Sequence, residues 1–123
     1  MPFRPILEQL LRVNRDAVAV IFLDDSGEMV HLECVDFTAY DMKVLGAYAG
    51  IYLRQFNELD DMAATGAPQL IHVEKEHLHL FITPLPDGYY LVLVQRRPAS
   101  TALARRTLEI ARRDVARETF GDS

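Results

Sequence analysis

Tryptophan is absent from this chain of 123 residues, and cysteine occurs once, as Cys34. A single thiol excludes a disulfide within the chain and any zinc site that is built from several cysteines. No apolar run approaches the roughly 18 residues that a membrane-spanning helix needs. The first residues also lack the basic and then apolar pattern of a signal peptide. These absences predict a cytoplasmic protein without a membrane-inserted segment.

Basic residues are fewer than acidic ones. The chain has 13 Lys and Arg and 18 Asp and Glu, which gives a formal net charge of −5. This balance gives no general attraction to nucleic acid or to anionic membranes. The charges are distributed unevenly. Residues 1–95 contain 6 basic and 14 acidic residues, whereas residues 96–123 contain 7 basic and 4 acidic residues. The basic end either complements the acidic body within the molecule or docks an acidic partner.

Signatures of catalysis are also missing. The glycines lack the Gly-Lys-Ser/Thr ending of a phosphate-binding loop, so we do not expect the chain to bind GTP through such a loop. No combination of serine, histidine and aspartate has the pattern of a hydrolase. We therefore assign no catalytic residue and no cofactor, and we expect a non-enzymatic protein.

The apolar and turn patterns predict one domain, residues 1–123, with the element order α-β-β-α-β-β-β-α. The run Ala17–Leu23 has no polar residue, which is typical of a strand buried on both faces. Short turns join neighbouring strands, so the five-stranded sheet should be mainly antiparallel. Helices must then cover both faces, which predicts a three-layer α/β/α sandwich of the α+β class.

The boundaries of these elements follow from the same patterns. The expected helices cover about 5–13, 36–59 and 101–119, and the strands 17–23, 28–34, 69–74, 77–85 and 89–95. The side chain of Asp36 or of Thr38 should cap the long central helix.

The central helix combines a wide arc of large apolar residues with Gly46 and Gly50, which lie one turn apart on its other side. Each interior glycine costs a helix about 1 kcal/mol relative to alanine, so a compensating contact is expected. Small residues at this spacing allow close approach of a second helix, as across a two-fold axis. They equally allow close packing on the protein's own sheet, and both interpretations stay open.

Histidines cluster in the predicted third and fourth strands. His77 and His79 share one face of a strand. A two-residue turn at Lys75-Glu76 would place His72 opposite His79 and Glu74 opposite His77, and three imidazoles with a carboxylate can bind zinc. The alternative is a polar face that a dimer partner partly covers, and another turn register would separate His72 from the pair.

Arginines occur in three pairs, Arg96-Arg97, Arg105-Arg106 and Arg112-Arg113. An arginine acting in trans on the active site of a partner protein is chemically feasible. The alternative is that these side chains are solvated or pair with the acidic body. Aromatic residues are not interleaved with them, which disfavours binding of single-stranded nucleic acid.

The run from Ala19 to Val30, the small-residue central helix and the run from Tyr89 to Val94 together resemble the roadblock (dynein light-chain) family. Among its bacterial members the chain is similar to the MglB- and MglC-type regulators of Ras-like GTPases. The stretch from Pro98 to Arg113 is similar to the closing helix of that family. The resemblance covers nearly the whole chain and implies a long helix on one face of the sheet and the terminal helices on the other.

The resemblance also implies a homodimer in which the central helices lie side by side and the third strands pair. The helix contact would use Ala39, Lys43, Gly46, Ala47, Gly50 and Arg54. The strand contact would use Leu70, Ile71, His72 and Val73.

The implied partner is a Ras-like small GTPase or another roadblock protein that binds one. Because the chain is compact, we expect a dimeric regulator or adaptor. One alternative is a GTPase-activating protein that remodels the GTPase site. Another is a small-molecule or metal-sensing domain that uses the face bearing His72, His77 and His79.

Overall fold

The computed structural model describes residues 3–121, without the side chains of residues 60–63. Its elements follow the predicted order and are α1 (Arg4–Val13), β1 (Ala17–Leu23), β2 (Met29–Cys34), α2 (Ala39–Ala63), β3 (Ile71–Glu74), β4 (Leu78–Pro84), β5 (Tyr90–Arg96) and α3 (Thr101–Phe120). A short 3₁₀ turn, Pro86–Gly88, joins β4 to β5. None of the helices in the described part of the chain combines the length and apolarity that crossing a membrane requires.

Hydroxyl side chains set the beginnings of the two long helices. The Thr38 hydroxyl accepts a hydrogen bond from the Asp41 amide at 3.1 Å, at the start of α2. The Ser100 hydroxyl accepts one from the Leu103 amide at 3.4 Å, at the start of α3. Each of these bonds satisfies an amide that has no partner within its helix. Of the two caps that the sequence allowed for α2, Thr38 is the one confirmed.

The sheet has the strand order β2-β1-β5-β4-β3. Every neighbouring pair is antiparallel, which confirms the prediction. β1 and β5 lie at its centre, and all seven residues of β1 are buried. β2 and β3 are the two edges.

The helices cover the two faces of the sheet unequally. On one face Val20, Phe22 and Leu93 pack in a single cluster with residues of α1 and α3. On the other face Ile21 and Val92 pack in a second cluster with residues of α2. The three-layer sandwich is confirmed, with the long helix alone on its face and the terminal helices together on the other.

α2 approaches the sheet through small residues. The carbonyl of Gly46 accepts a hydrogen bond from the Tyr90 hydroxyl at 2.9 Å. A Cβ atom on Gly50 would lie 2.4 Å from that hydroxyl oxygen, and one on Gly46 would lie 2.7 Å from Cδ2 of Leu23. Burial raises the pKa of Tyr90, so its hydroxyl is a neutral donor. The side of α2 with both glycines is therefore the side that fits against β1 and β5.

This contact accounts for the glycine spacing within one protomer. Gly46 and Gly50 are buried against the protomer's own sheet, and their part in a helix contact with a second copy stays a prediction. Of the two interpretations that the spacing left open, close packing on the protein's own sheet is the one confirmed. An internal contact compensates for the free energy that the two glycines cost the helix. A side chain at either position would push α2 away from the sheet.

The variant Gly50→Ala tests this packing. It places a methyl group where the Tyr90 hydroxyl now lies, and we expect the free energy of unfolding to fall by about 1–3 kcal/mol through overpacking. Alanine is the better helix former, so an isolated helix would change in the opposite direction. Urea denaturation measures the loss. In a Tyr90→Phe background the same substitution should cost less, and an equal cost in both backgrounds would contradict the contact.

Candidate protein-binding surface

A row of large apolar side chains lies on the side of α2 that faces away from the sheet. We call it the α2 outer face; its members are Val44, Tyr48, Ile51, Tyr52, Phe56 and Leu59. The exposed fractions include 58% for Tyr48, 40% for Ile51 and 47% for Phe56. Exposed apolar patches that continue over several helical turns mark interaction sites more often than scattered single residues do.

The helical period explains why these residues are left outside. At about 100° per residue, Met42, Ala49 and Leu53 share the direction of Gly46 and are buried. The sheet covers only that direction, whereas the apolar arc of α2 continues around the helix. The sheet therefore covers one side of α2, and within the described protomer no second helix packs against the other side.

A shallow cavity of about 370 Å³ adjoins this surface between α2 and the β3–β4 hairpin. Val44, Tyr48 and Tyr52 line it from the helix, and Lys75 and Leu80 line it from the hairpin. The cavity connects the α2 outer face with the edge of the sheet, so the two form one continuous surface.

The remaining residues of the predicted helix contact, Ala39, Lys43, Ala47 and Arg54, are exposed. By the period of the helix, Lys43, Ala47 and Arg54 lie on the flank between the buried glycine side and the α2 outer face, and Ala39 lies in the direction of the glycines at the first turn. They are accessible to a second chain, and their place in a dimer contact stays a prediction.

β3 is an edge strand, and the predicted strand contact lies on it or beside it. Leu70 precedes it and packs with the α1 and α3 cluster. Ile71 and Val73 pack on the α2 side, and His72 is exposed. An unpaired edge offers amides and carbonyls to another strand. Strand pairing between two copies stays a prediction at this edge.

His72 and His79 form a hydrogen-bonded pair on the other face of the same edge. Nε2 of His72 lies 2.9 Å from Nδ1 of His79. The His72 ring stacks on Phe81 with ring centroids 4.3 Å apart. His79 is buried, whereas His72 reaches solvent. Only one of the two facing nitrogens carries the proton of this bond, because the other must accept it.

The predicted strand register is wrong by two residues. Lys75 donates its amide to the Leu78 carbonyl, so the turn falls at Glu76-His77. Glu74 is therefore opposite His79, and His72 is opposite Phe81. The His72 and His79 rings meet diagonally across the two strands.

The three-histidine metal site is also wrong. The side chain of His77 lies in the turn and is 84% exposed, with its Nε2 3.6 Å from a carboxylate oxygen of Glu76. Within the described residues, no three histidine, cysteine or acidic side chains come together in a way that would hold a metal ion. The turn directs His77 away, because a residue in the loop does not share the alternation of a strand.

The arginine pairs are used mainly for local ion pairs. Arg96 contacts Asp36, and Arg97 lies 3.3 Å from Glu74. Arg112 lies 2.6 Å from Glu109, and its hydrogen bond holds the pKa of that carboxyl below its usual value. Pairing with the acidic body is confirmed for Arg96 and Arg97, and Arg112 pairs within α3 instead.

Solved structures of several bacterial proteins superpose on this chain along nearly its full length. An MglB from Thermus thermophilus has a TM-score of 0.87 at 16% identity, covering 98% of this chain and 90% of its own. The chain has the roadblock fold. A Roadblock/LC7 domain from Streptomyces avermitilis has a TM-score of 0.81 at 16% identity, covering 94% of this chain and 95% of its own.

Two further solved structures share this fold. MglC from Myxococcus xanthus has a TM-score of 0.68 at 22% identity, covering 96% of this chain and 99% of its own. An MglB with a tetrameric arrangement has a TM-score of 0.84 at 17% identity, covering 94% of this chain and 85% of its own. No family model and no curated protein matches the sequence.

The sequence assigned the dimer contact to the small-residue side of α2, whereas the structure packs the two glycines of that side against the sheet. The width of the apolar arc was visible in the sequence, and it was the signal that part of the arc stays uncovered. The glycine spacing was a second signal, on another side of the helix. It was ambiguous, because small residues allow close approach of a partner helix and of a neighbouring sheet equally well.

The His72–His79 pair predicts a loss of stability in mild acid. Burial and the neighbouring His79 lower the pKa of His72 from its ordinary 6.5. Above pH 6.5 the imidazole is neutral in both folded and unfolded chains. As the pH falls below 6.5, the unfolded chain takes up a proton first, so the free energy of unfolding decreases until the lower folded pKa is passed.

Urea denaturation at several pH values between about 7.5 and 5.5 measures this loss. The variant His72→Gln should flatten the pH profile. His77→Gln, at the exposed turn, is the matched control and should keep the wild-type profile. A profile that His72→Gln leaves unchanged would contradict the assignment.

Proposed function

We propose that this chain is a homodimeric regulator or adaptor that binds a Ras-like small GTPase or another roadblock protein of the same pathway. The observation that carries the proposal is the α2 outer face, a row of large apolar side chains that the protomer leaves exposed. The role is recognition and assembly, and the chemistry of nucleotide hydrolysis belongs to the partner.

The energetics favour a second copy on this face. Complete burial of one valine, leucine, isoleucine or phenylalanine side chain contributes about 1.5–3 kcal/mol. Six large apolar residues that are already partly packed supply the centre of an interface of ordinary size. An isologous contact uses the same patch on both copies, so one apolar helix face is sufficient for a dimer.

The sheet edge supports the same arrangement. Lys75, which directly follows β3, and Val44 of α2 line the same cavity beside the α2 outer face. A two-fold axis beside α2 would bring the two β3 edges together and would satisfy their free amides and carbonyls. The dimer contact proposed here therefore joins the α2 outer face to Ile71, His72 and Val73, with Lys43, Ala47 and Arg54 at its border.

The partner is inferred from the fold. MglB and MglC structures superpose on this chain, and one of them is a tetrameric arrangement, so roadblock proteins are the natural class of assembly partner. The resemblance to regulators of Ras-like GTPases extends the proposal to such a GTPase. The chain has no phosphate-binding loop of its own, which suits a protein that acts on the nucleotide site of another.

A charged substitution at Ile51 tests the dimer. Ile51→Asp places a carboxylate in the centre of the α2 outer face, and we expect sedimentation at micromolar concentration to change from a dimer to a 14 kDa monomer. The matched control is Asn57→Asp, exposed on the same helix and about 120° away. It should leave the dimer intact. A wild-type chain that sediments as a monomer would contradict the proposal.

A hydrolysis assay tests the regulatory role. A purified Ras-like GTPase from the same organism, loaded with GTP, should co-elute with the wild-type chain and not with Ile51→Asp. An adaptor leaves the rate of GTP hydrolysis unchanged, and an increased rate would identify a GTPase-activating protein instead. Failure of every Ras-like GTPase of the organism to co-elute would remove the GTPase from the proposal.

A further inference from the structure

A cavity of about 520 Å³ lies between α3 and the corner of the sheet where β3 begins and β4 ends. Its volume is within the range of about 300–1,000 Å³ that small-molecule sites occupy. The lining residues from the sheet side are Gln69, Leu70 and Thr83, and those from α3 are Ala102, Arg105, Arg106, Leu108 and Glu109. Because α3 covers the face of the sheet opposite α2, the cavity is separate from the α2 outer face.

Two arginines make one wall of this cavity cationic. Arg105 and Arg106 are both exposed, and among the described side chains neither forms an ion pair. Consecutive helical residues point about 100° apart, so the two side chains border the cavity from different directions. Ala102 lies in the first turn of α3, so the positive end of the helix dipole adds to the potential at this wall.

The charge of Glu109, the one acidic residue among the described lining residues, is already paired. Arg112 donates two hydrogen bonds to its carboxylate, at 2.6 Å and 2.9 Å. Arg113 lies 3.4 Å from the same carboxylate. The Arg112 hydrogen bond and, after it, Arg113 hold the pKa of Glu109 below its usual value. The positive charges of the two arginines in the cavity are therefore not offset by Glu109.

The positive potential extends to β3 beside the cavity. The His72 ring stacks on Phe81, on the side of the sheet that α3 covers. Burial and the His79 ring make the largest contributions to the lowered pKa of His72. Glu74 opposes them, and the positive charge of Arg105 lowers that pKa further. The charge of Arg105 thus acts across the gap between α3 and β3, where a bound anion would reduce the repulsion.

The floor of the cavity is apolar and fixed in shape. Leu70 and Leu108 belong to the cluster that packs α1 and α3 on the sheet. The Thr83 hydroxyl donates a hydrogen bond to the Gln69 carbonyl at 3.1 Å, which ties the segment before β3 to the end of β4. The cavity therefore combines a preformed apolar floor with a cationic wall.

We propose that this cavity binds a small phosphate monoester, with its phosphate at Arg105 and Arg106 and its apolar body on the leucine floor. A phosphate monoester carries a charge of about −1.5 to −2 at pH 7, which complements two arginines. Guanidinium groups bind phosphate oxygens through pairs of N–H donors. The floor favours an organic phosphate over inorganic phosphate, which has no apolar part to bury.

This site goes beyond the proposed function, because it gives the chain a small ligand of its own. None of its lining residues belongs to the α2 outer face. A chain that fails to form a dimer or to bind a GTPase can therefore still bind the phosphate monoester.

Phenyl phosphate is the probe, added to the full-length ¹⁵N-labelled protein in an NMR titration. We expect saturable shifts of the Thr83 and Ala102 amide signals, with a dissociation constant of about 1 mM for a probe of this size. Inorganic phosphate lacks the apolar body and phenol lacks the phosphate, so each should bind at least tenfold more weakly. Binding should also weaken as salt is raised, because exposed charges are screened.

Variants locate the site. Arg105→Gln combined with Arg106→Gln should weaken binding of phenyl phosphate at least tenfold, through the loss of charge-assisted hydrogen bonds. The matched control is Arg12→Gln combined with Arg15→Gln, which makes the same change of net charge at exposed arginines outside the cavity. It should bind as the wild type does. Ala102→Asp should weaken binding by repulsion and keep the fold, because a carboxylate suits the first turn of a helix.

Several outcomes would overturn the proposal. These are no saturable shift with phenyl phosphate, equal affinity for phenyl phosphate and inorganic phosphate, and binding that Arg105→Gln with Arg106→Gln leaves unchanged. An equal loss of binding in the matched control would show a general charge effect and no site. Binding to vesicles that contain phosphatidic acid, without binding of phenyl phosphate, would assign the arginines to a membrane surface instead.

Discussion

The approach of α2 to the sheet is the contact on which the rest of this molecule depends. The Tyr90 hydroxyl reaches the Gly46 carbonyl, and the absence of side chains at Gly46 and Gly50 makes room for it. A buried hydroxyl without a partner would cost free energy, so the helix is held at one distance and one rotation. That rotation decides which residues of α2 are covered and which are presented outward.

The outward side is consequently apolar. An ordinary helix on a sheet buries its large residues and exposes its polar ones. Here glycine and alanine share the position against the sheet with Met42 and Leu53, and Tyr48, Ile51 and Phe56 lie outside. A protomer with this arrangement has a helix that is apolar on two sides and a sheet that covers only one of them. Such a surface suits assembly better than an isolated monomer in water.

The opposite layer of the sandwich has a different character. Helices α1 and α3 lie beside each other, and together they leave a furrow with mostly apolar walls. At the β3 edge of the same face, the His72–His79 pair adds an imidazole, that of His72, whose pKa is lowered by burial and by the neighbouring ring. The two faces of the sheet are thus covered by layers of unlike chemistry.

Local pattern determined much of the fold. The order of the elements, the antiparallel sheet and the bounds of β1 and α3 follow from runs of apolar residues, turn residues and capping hydroxyls, which act over a few residues. α2 ends at Ala63, beyond the expected Leu59, because no glycine or proline interrupts it there. The turn between β3 and β4 falls one residue later than expected, because several pairs of residues in this segment can form a tight turn.

Sequence alone could not decide which side of α2 meets the sheet, since a glycine pair permits close approach to either a helix or a strand. It could not decide whether His77 joins His72 and His79, because moving the turn by one residue takes His77 out of the strand and into the loop. Both questions concern distances between residues far apart in the chain. Only the packed tertiary structure sets those distances, through the steric fit of Tyr90 and Leu23 against the glycines of α2.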